Sequence, residues 1–431
     1  MNTQPQSYKY LKKVAASIFS PIKRCDCSTC FFVAGGGRRT LIKFLLKEKE
    51  IIKSVLGTNF PKTVFIYVEP DELLEVSNQA YLALIAKQLK KVVDYLKIPQ
   101  TTAVPPLLLD LIKQYVSILT HKGLIVVFIL NDFEITLSLS SSIFLNFEAI
   151  MNVNKSQVTY LFLSSVNIFA PDILPKLHNL KYALSQNIFY VSLLGKAEVN
   201  FMLQQIAEKL GNKFSTEVRE TIYTICGGHA QLVKYAAYAL ASAETPFSQD
   251  VEKTKKLLLA HSQLDMVCSD IWNVLHVEER SIITHVVKTG ALPQTTFPVD
   301  FLLKIGLVHY EAQSGYTLFG TLFRDYVYNK IPKDTLYYDD TKNQIYFGTK
   351  SCSHIFTLQE FKIISHLLKQ KGAVVSRDEV ANVLWGEDAL DKYSDWTIDK
   401  TISTIRKKLN NIGFASSKLI TLKKRGFSFS S

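Results

Sequence analysis

The segment Phe356-Thr-Leu-Gln-Glu-Phe-Lys-Ile-Ile364, with Gly372-Ala-Val-Val-Ser-Arg-Asp-Glu-Val380, Leu384-Trp-Gly386 and Ile402-Ser-Thr-Ile-Arg-Lys-Lys-Leu409 behind it, decides how the carboxy-terminal part folds. Thr357-Leu-Gln-Glu360 is a capping box, and it opens a helix whose apolar positions Phe361, Ile364 and Leu368 share a face. Ser376-Arg-Asp-Glu379 is a second capping box, ahead of Val380, Val383 and Leu384 at the same period. Ser394 or Asp395 can cap a third helix, along which Ile398, Ile402, Ile405 and Leu409 make a narrow apolar stripe. At about 100° per residue, the opposite face carries Trp396, Thr397, Lys400, Ser403, Thr404 and Lys407, with Arg406 and Lys408 on its flanks. Residues 419–429 then alternate like a hairpin around Lys423-Lys424-Arg425-Gly426. A short helix with a cationic, hydroxyl-rich outer face offers long donors for base edges and neighbours for phosphates.

This order of elements, over about ninety residues, resembles the winged-helix DNA-binding domain of OmpR/PhoB-type response regulators. Leu336-Tyr-Tyr-Asp339 and Gln344-Ile-Tyr-Phe347 fit the small leading sheet of that family. The resemblance implies double-stranded DNA as partner, with 396–410 in the major groove and Lys423, Lys424 and Arg425 reaching backbone or minor groove. The loop 387–395 falls where relatives touch RNA polymerase. One departure bears on specificity. The family's wing reads Arg-Gly-x-Gly-Tyr, whereas Arg425-Gly-Phe-Ser-Phe429 lacks the second glycine, so the wing is expected to meet the minor groove differently. No receiver domain is expected, so control would come through the amino-terminal part.

That part alternates short apolar runs with helical patterns. Strands are expected at 30–34, 63–68, 124–130, 159–163 and 188–191, and helices at 41–56, 72–96 and 106–119. Continuous apolar strands with crossover helices mean a parallel sheet covered on both faces. The first strand runs into Gly35-Gly36-Gly37-Arg38-Arg39-Thr40 and then a helix, the position of a phosphate-binding loop. The third ends in Asn131-Asp132, the position of a Walker B motif, and the fourth in Ser164-Ser165, where AAA+ proteins place a polar sensor. Downstream, 192–210 and 215–241 read as a helical lid containing Cys226-Gly-Gly-His-Ala230. This segment resembles the Gly-Gly-His-Pro motif of STAND-type and archaeal AAA+ ATPases, with Ala230 in place of the proline. The block from Leu264 to Tyr326 resembles the winged helix that closes such modules.

The expected fold is thus α/β plus α+β. A parallel-sheet P-loop NTPase-like domain (25–191) follows an amino-terminal segment (1–24). A helical lid (192–262) and two winged helices (263–332 and 333–431) come after it. The resemblance implies ATP or ADP as cofactor, yet the motifs depart from the family in chemically specific ways. Aligned on Thr40, Arg39 stands at the lysine, Arg38 at the last glycine and Val33 at the first. A planar guanidinium does not replace a compact ammonium directly. Asn131 stands where an aspartate would hold Mg²⁺, with Asp132 where an acid would position water. Three readings stay open: a scaffold that has lost nucleotide, a sensor that binds without hydrolysis, and a competent ATP-driven switch with the winged helices as docking platforms. A module of this kind would sense or form homo-oligomers.

Composition sets the outer bounds. The 431 residues carry a net charge of +12, and 47% of them are hydrophobic, ample for several cores. Residues 335–431 hold 15 Lys and Arg against 10 Asp and Glu, so the basic excess is spread along the chain. Six cysteines and a polar, lysine-bearing start suggest free thiols in a cytoplasmic protein, and the longest apolar run, 124–130, is too short for a bilayer. Cys25, Cys27 and Cys30 could hold Zn²⁺ only with a fourth ligand; free thiols beside the first strand are the simpler expectation. The nine histidines form no nucleophilic constellation, and His229 stands out only as an interdomain contact.

Overall fold

The computed structural model describes residues 7–99, 107–211, 213–241, 251–294, 298–331, 335–340, 342–348, 350–370, 372–386, 394–423 and 425–429. They form two compact units, one of residues 1–283 and 294–326, the other of 284–293 and 327–431.

The first unit is built on five strands: β1 (Ser28–Phe32), β2 (Thr63–Val68), β3 (Ile125–Leu130), β4 (Val158–Ser164) and β5 (Ile188–Val191). They lie in the order β2-β3-β4-β1-β5, every neighbouring pair parallel. β1, β3 and β4 are buried along their whole length, as unbroken apolar runs require when helices cover both faces. Helix Arg38–Lys47 lies between β1 and β2, Asn78–Tyr95 and Leu108–His121 between β2 and β3, Ser142–Met151 between β3 and β4, and Leu180–Leu184 between β4 and β5.

Boundaries shift where local chemistry intervenes. The helix expected over 41–56 is two, Arg38–Lys47 and Lys49–Leu56, because Glu48 leaves helical backbone at ψ 70°. The helix expected from 72 begins at Asn78, where the Ser77 hydroxyl accepts the Ala80 amide. The lid segment 215–241 is likewise two helices, Thr216–Cys226 and Ala230–Ala241, parted at Gly227-Gly228. The first lid helix, Lys196–Leu210, buries Val199, Leu203, Ile206 and Ala207 and leaves Leu210 exposed. The amino-terminal segment holds a helix, Tyr8–Phe19, that buries Leu11, Ala15, Ile18 and Phe19 against Leu45, Ile52 and the sheet residues Phe32 and Ile129. A hairpin of β6 (Val308–Glu311) and β7 (Gly315–Leu318) closes the unit.

The second unit has a three-stranded antiparallel sheet of β8 (Leu336–Asp339), β9 (Gln344–Phe347) and β10 (Lys350–Ser351). Helices Leu358–Lys369, Arg377–Trp385 and Asp395–Asn411 follow, then a hairpin of β11 (Leu419–Leu422) and β12 (Gly426–Phe429). Both capping boxes are closed in both directions. The first helix buries Ile363, Ile364 and Leu367, with Phe361 and Leu368 at the margin, and the second buries Val380, Ala381 and Leu384. The third buries Ile398, Ile402, Ile405 and Leu409, and Ser394 is its cap. One core joins sheet, helices and hairpin.

Candidate functional site

At the carboxyl ends of the parallel strands the first unit opens a cavity of ≈ 580 Å³. Such crevices are where open α/β sheets bind ligands. Seven of the eight residues expected to contact nucleotide line it: Gly35, Gly37, Arg38, Arg39, Thr40, Asn131 and Asp132. Gly36 instead donates its amide to the Val33 carbonyl at 2.8 Å, which tightens the loop. Gly35 has φ +72°, and a Cβ there would also meet the His229 ring at 3.0 Å. Lid residues Leu194, Met202, Gln231, Lys234 and Tyr235 form the remaining wall.

Ion pairs fill the floor. Arg38, only 10% exposed, pairs with Asp132, reaches Glu134 at 3.4 Å and donates to the Ser165 hydroxyl at 3.0 Å. One guanidinium thus ties the loop to the ends of β3 and β4. Arg39 contacts Glu69 at 3.0 Å, Asp71 at 2.5 Å and Asp132 at 3.7 Å, and Lys43 lies 3.3 Å from Glu69. Asn131 is fully buried and gives its Nδ2 to Glu69 at 2.8 Å and to Asp132 at 2.6 Å, while its Oδ1 has no hydrogen-bond partner within the protein. The sequence reading missed Glu69, Asp71 and Lys43. Glu69 lies directly after β2, and the carboxyl ends of parallel strands converge, so its position was the available signal.

His229 links the lid to the loop. Its Nε2 donates to the Ala34 carbonyl at 2.6 Å, its Nδ1 accepts the Leu232 amide at 3.3 Å, and its ring stacks on Phe319. Burial pushes its pKa down to about 4, even though the bond to Ala34 pulls the other way. Cys27 and Cys30 are buried thiols raised in pKa by that burial. Among the described residues, the one set of acidic, His or Cys side chains close enough to share an ion is Glu69, Asp71 and Asp132.

In the second unit the outer face of helix Asp395–Asn411 exposes Trp396, Lys400, Ser403 and Lys407, with Thr397 and Thr404 half-buried beside them. Lys400 lies over the Trp396 ring, its Nζ 4.6 Å from the centroid, and Trp396 is 69% exposed. Lys423 and Arg425 are exposed at the hairpin turn; Lys424 and residues 387–393 of the expected polymerase loop lie outside the described residues. Arg406 and Lys408, read from the sequence as flanking cations, are engaged within the unit. Arg406 donates to the Leu419 carbonyl at 3.1 and 2.7 Å and to the Thr421 hydroxyl at 2.7 Å, fastening helix to hairpin. Lys408 lies 2.6 Å from Glu360; burial raises that carboxyl's pKa, and the lysine and the capping hydrogen bonds outweigh it, leaving it lowered. Arg377, unremarked in the sequence, reaches Asp395 at 2.9 Å and Asp399 at 2.8 Å, so the second helix braces the third. These three clamps hold the exposed stripe rigid next to the hairpin.

One comparison with known proteins falls on the second unit. Residues 353–429 match the family model "Transcriptional regulatory protein, C terminal", and they form a domain of that family. A similar curated protein is the uncharacterized transcriptional regulatory protein YvcP of Bacillus subtilis, 31% identical over 75 residues, which are 17% of this chain. The match spans 30% of that relative's length. Similar solved structures include the ORC2 protein of Aeropyrum pernix in ADPNP–ADP complexes, at 16% identity and TM-score 0.41, covering 74% of this chain and 92% of that one. The Walker-type ATPase PABY2304 of Pyrococcus abyssi matches at 11% identity and TM-score 0.46, over 74% of this chain and 95% of that one. No helix among the described residues is long and apolar enough to cross a membrane.

Proposed function

We propose that this chain is a transcriptional regulator that binds double-stranded DNA sequence-specifically through its second unit. The single observation that carries the reading is the exposed Trp396–Lys400–Ser403–Lys407 stripe on a helix braced on three sides, beside a cationic hairpin turn. Lysines on such a helix neutralise phosphates, while Ser403, Thr404 and Trp396 offer hydroxyls and an aromatic face to base edges. Arg406 and Lys408 hold the reader in shape instead of touching DNA. The segment 387–395 is the one we assign to RNA polymerase. The first unit holds ATP or ADP as a sensing or self-associating module, and hydrolysis is not part of its role: Asp132, at the position where the resemblance would have an acid orient water, is already paired with Arg38.

The test selects duplexes from a random pool with the full chain and measures their affinity by fluorescence anisotropy. Lys400→Ala with Lys407→Ala should weaken the selected duplex by tenfold or more, at about 1 kcal/mol per lost contact, with the fold unchanged by circular dichroism. Undiminished binding by the double variant would remove this helix from the interface. Steady-state ATP turnover well above background that vanishes in Arg39→Ala would restore the ATP-driven switch.

A further inference from the structure

We propose that the loop after β1 binds the phosphates of a nucleotide without any divalent cation, because Arg38 already neutralises the carboxylates that a cation would need. This rests on the nucleotide reading above and sharpens it. Phosphate-binding loops of this topology use Mg²⁺ held by the loop hydroxyl and by an aspartate at the end of the third strand. Mg²⁺ demands hard oxygens in near-octahedral array.

The donor set here does not fit that ion. Asn131 carries no charge, and its amide nitrogen, not its oxygen, faces Glu69 and Asp132. Asp132 receives Arg38 and Arg39, and Glu134 receives Arg38 together with the Ser165 amide at 3.1 Å. The trio whose oxygens approach closely enough to share an ion, Glu69, Asp71 and Asp132, is already in contact with Arg39 and Lys43. A dication would enter beside three positive charges, and it would have to displace Arg38, which is only 10% exposed.

The two arginines have different exposure, and this divides their work. Arg38, 10% exposed and joined to β3 and β4, stays in place and does permanently what the metal would do in passing. Arg39 is 44% exposed, and its partner Asp71 is 57% exposed. Ion pairs so open to water are weak, so Arg39 can exchange Asp71 for a phosphate, to which its fork binds bidentately. The amides of Gly37 to Thr40 at the helix start and Lys234 across the cavity complete the anion site.

The experiment strips nucleotide from the purified full chain and titrates fluorescent ADP and ATP in excess EDTA and in excess MgCl₂. The expected result is binding in EDTA with a Kd within about twofold of that in MgCl₂. Arg38→Ala should lose about tenfold or more in EDTA and regain part of it on adding MgCl₂, since Asp132 and Glu134 then lose the charge of Arg38. Arg38→Lys keeps the charge and should remain indifferent to MgCl₂, which covers the case in which the alanine variant does not fold. Binding that requires MgCl₂ in the wild type overturns the cation-free site and leaves the nucleotide reading intact. No binding of either nucleotide in either buffer overturns both.

Discussion

Acidification should destabilise the first unit through one residue, His229. Both ring nitrogens are committed, Nε2 as donor to Ala34 and Nδ1 as acceptor from Leu232, so only the neutral ring satisfies them. Burial moves the pKa from 6.5 in the unfolded chain to about 4 in the folded one. Between those values the unfolded chain holds a proton that the folded chain refuses, so stability falls as pH falls. The contribution is fully present above pH 6.5 and is lost on the way down to pH 4. At 1.36 kcal/mol per unit this amounts to about 3 kcal/mol, a sizeable fraction of the 5–15 kcal/mol typical of a domain. Urea unfolding of the wild type and of His229→Gln, at pH 7 and again near pH 4, isolates the term, because carboxylate titrations shared by both proteins cancel. The stability gap between the two should shrink by about 3 kcal/mol on acidification. A gap that does not change with pH would refute the reasoning: His229 would then not be held neutral between lid and loop.

Three further outcomes are expected. Gly426→Ala should cost the second unit about 1–3 kcal/mol in urea unfolding and blunt DNA binding, since Gly426 has φ +128° and a Cβ there would press on the Val375 backbone. Thr357→Ala opens the capping box with Glu360 and should lower the second unit's stability by about 1 kcal/mol, measured the same way. With Arg406 and Lys408 engaged internally, Lys400, Lys407, Lys423 and Arg425 remain for phosphates among the described residues, and Lys424, outside them, is the fifth cation of the sequence reading. The slope of log K against log salt should therefore be about −3.6 to −4.5, and Lys400→Ala should make it shallower by about 0.9.

Much of this was readable from residue order. Capping boxes, the period of Ile398, Ile402, Ile405 and Leu409, and the unbroken apolar strands are local signals, each set by neighbours within a few positions. They placed all five strands and the three carboxy-terminal helices, and they marked the Gly35–Gly37 loop as a site. Element ends were less legible where a turn interrupts a helical pattern without a proline, as at Glu48 and at Gly227-Gly228. The amino-terminal helix was passed over because its apolar face has meaning only once Leu45 and Ile52 are there to receive it.

What residue order settles in this chain is which stretches are strand, helix and turn, and that a cationic stripe faces away from an apolar one. Periodicity and capping act over three or four residues, so they survive without any knowledge of the rest. Which cations are free is another matter. Arg38 finds Asp132 across 94 positions, and Lys408 finds Glu360 across 48. Only the packing of β1 beside β4 and of β4 beside β3 brings the first pair together, and only the shared helical core the second. Charge attraction has no periodicity to betray it in advance. The same residue type serves as clamp or as contact according to the neighbours the completed fold supplies.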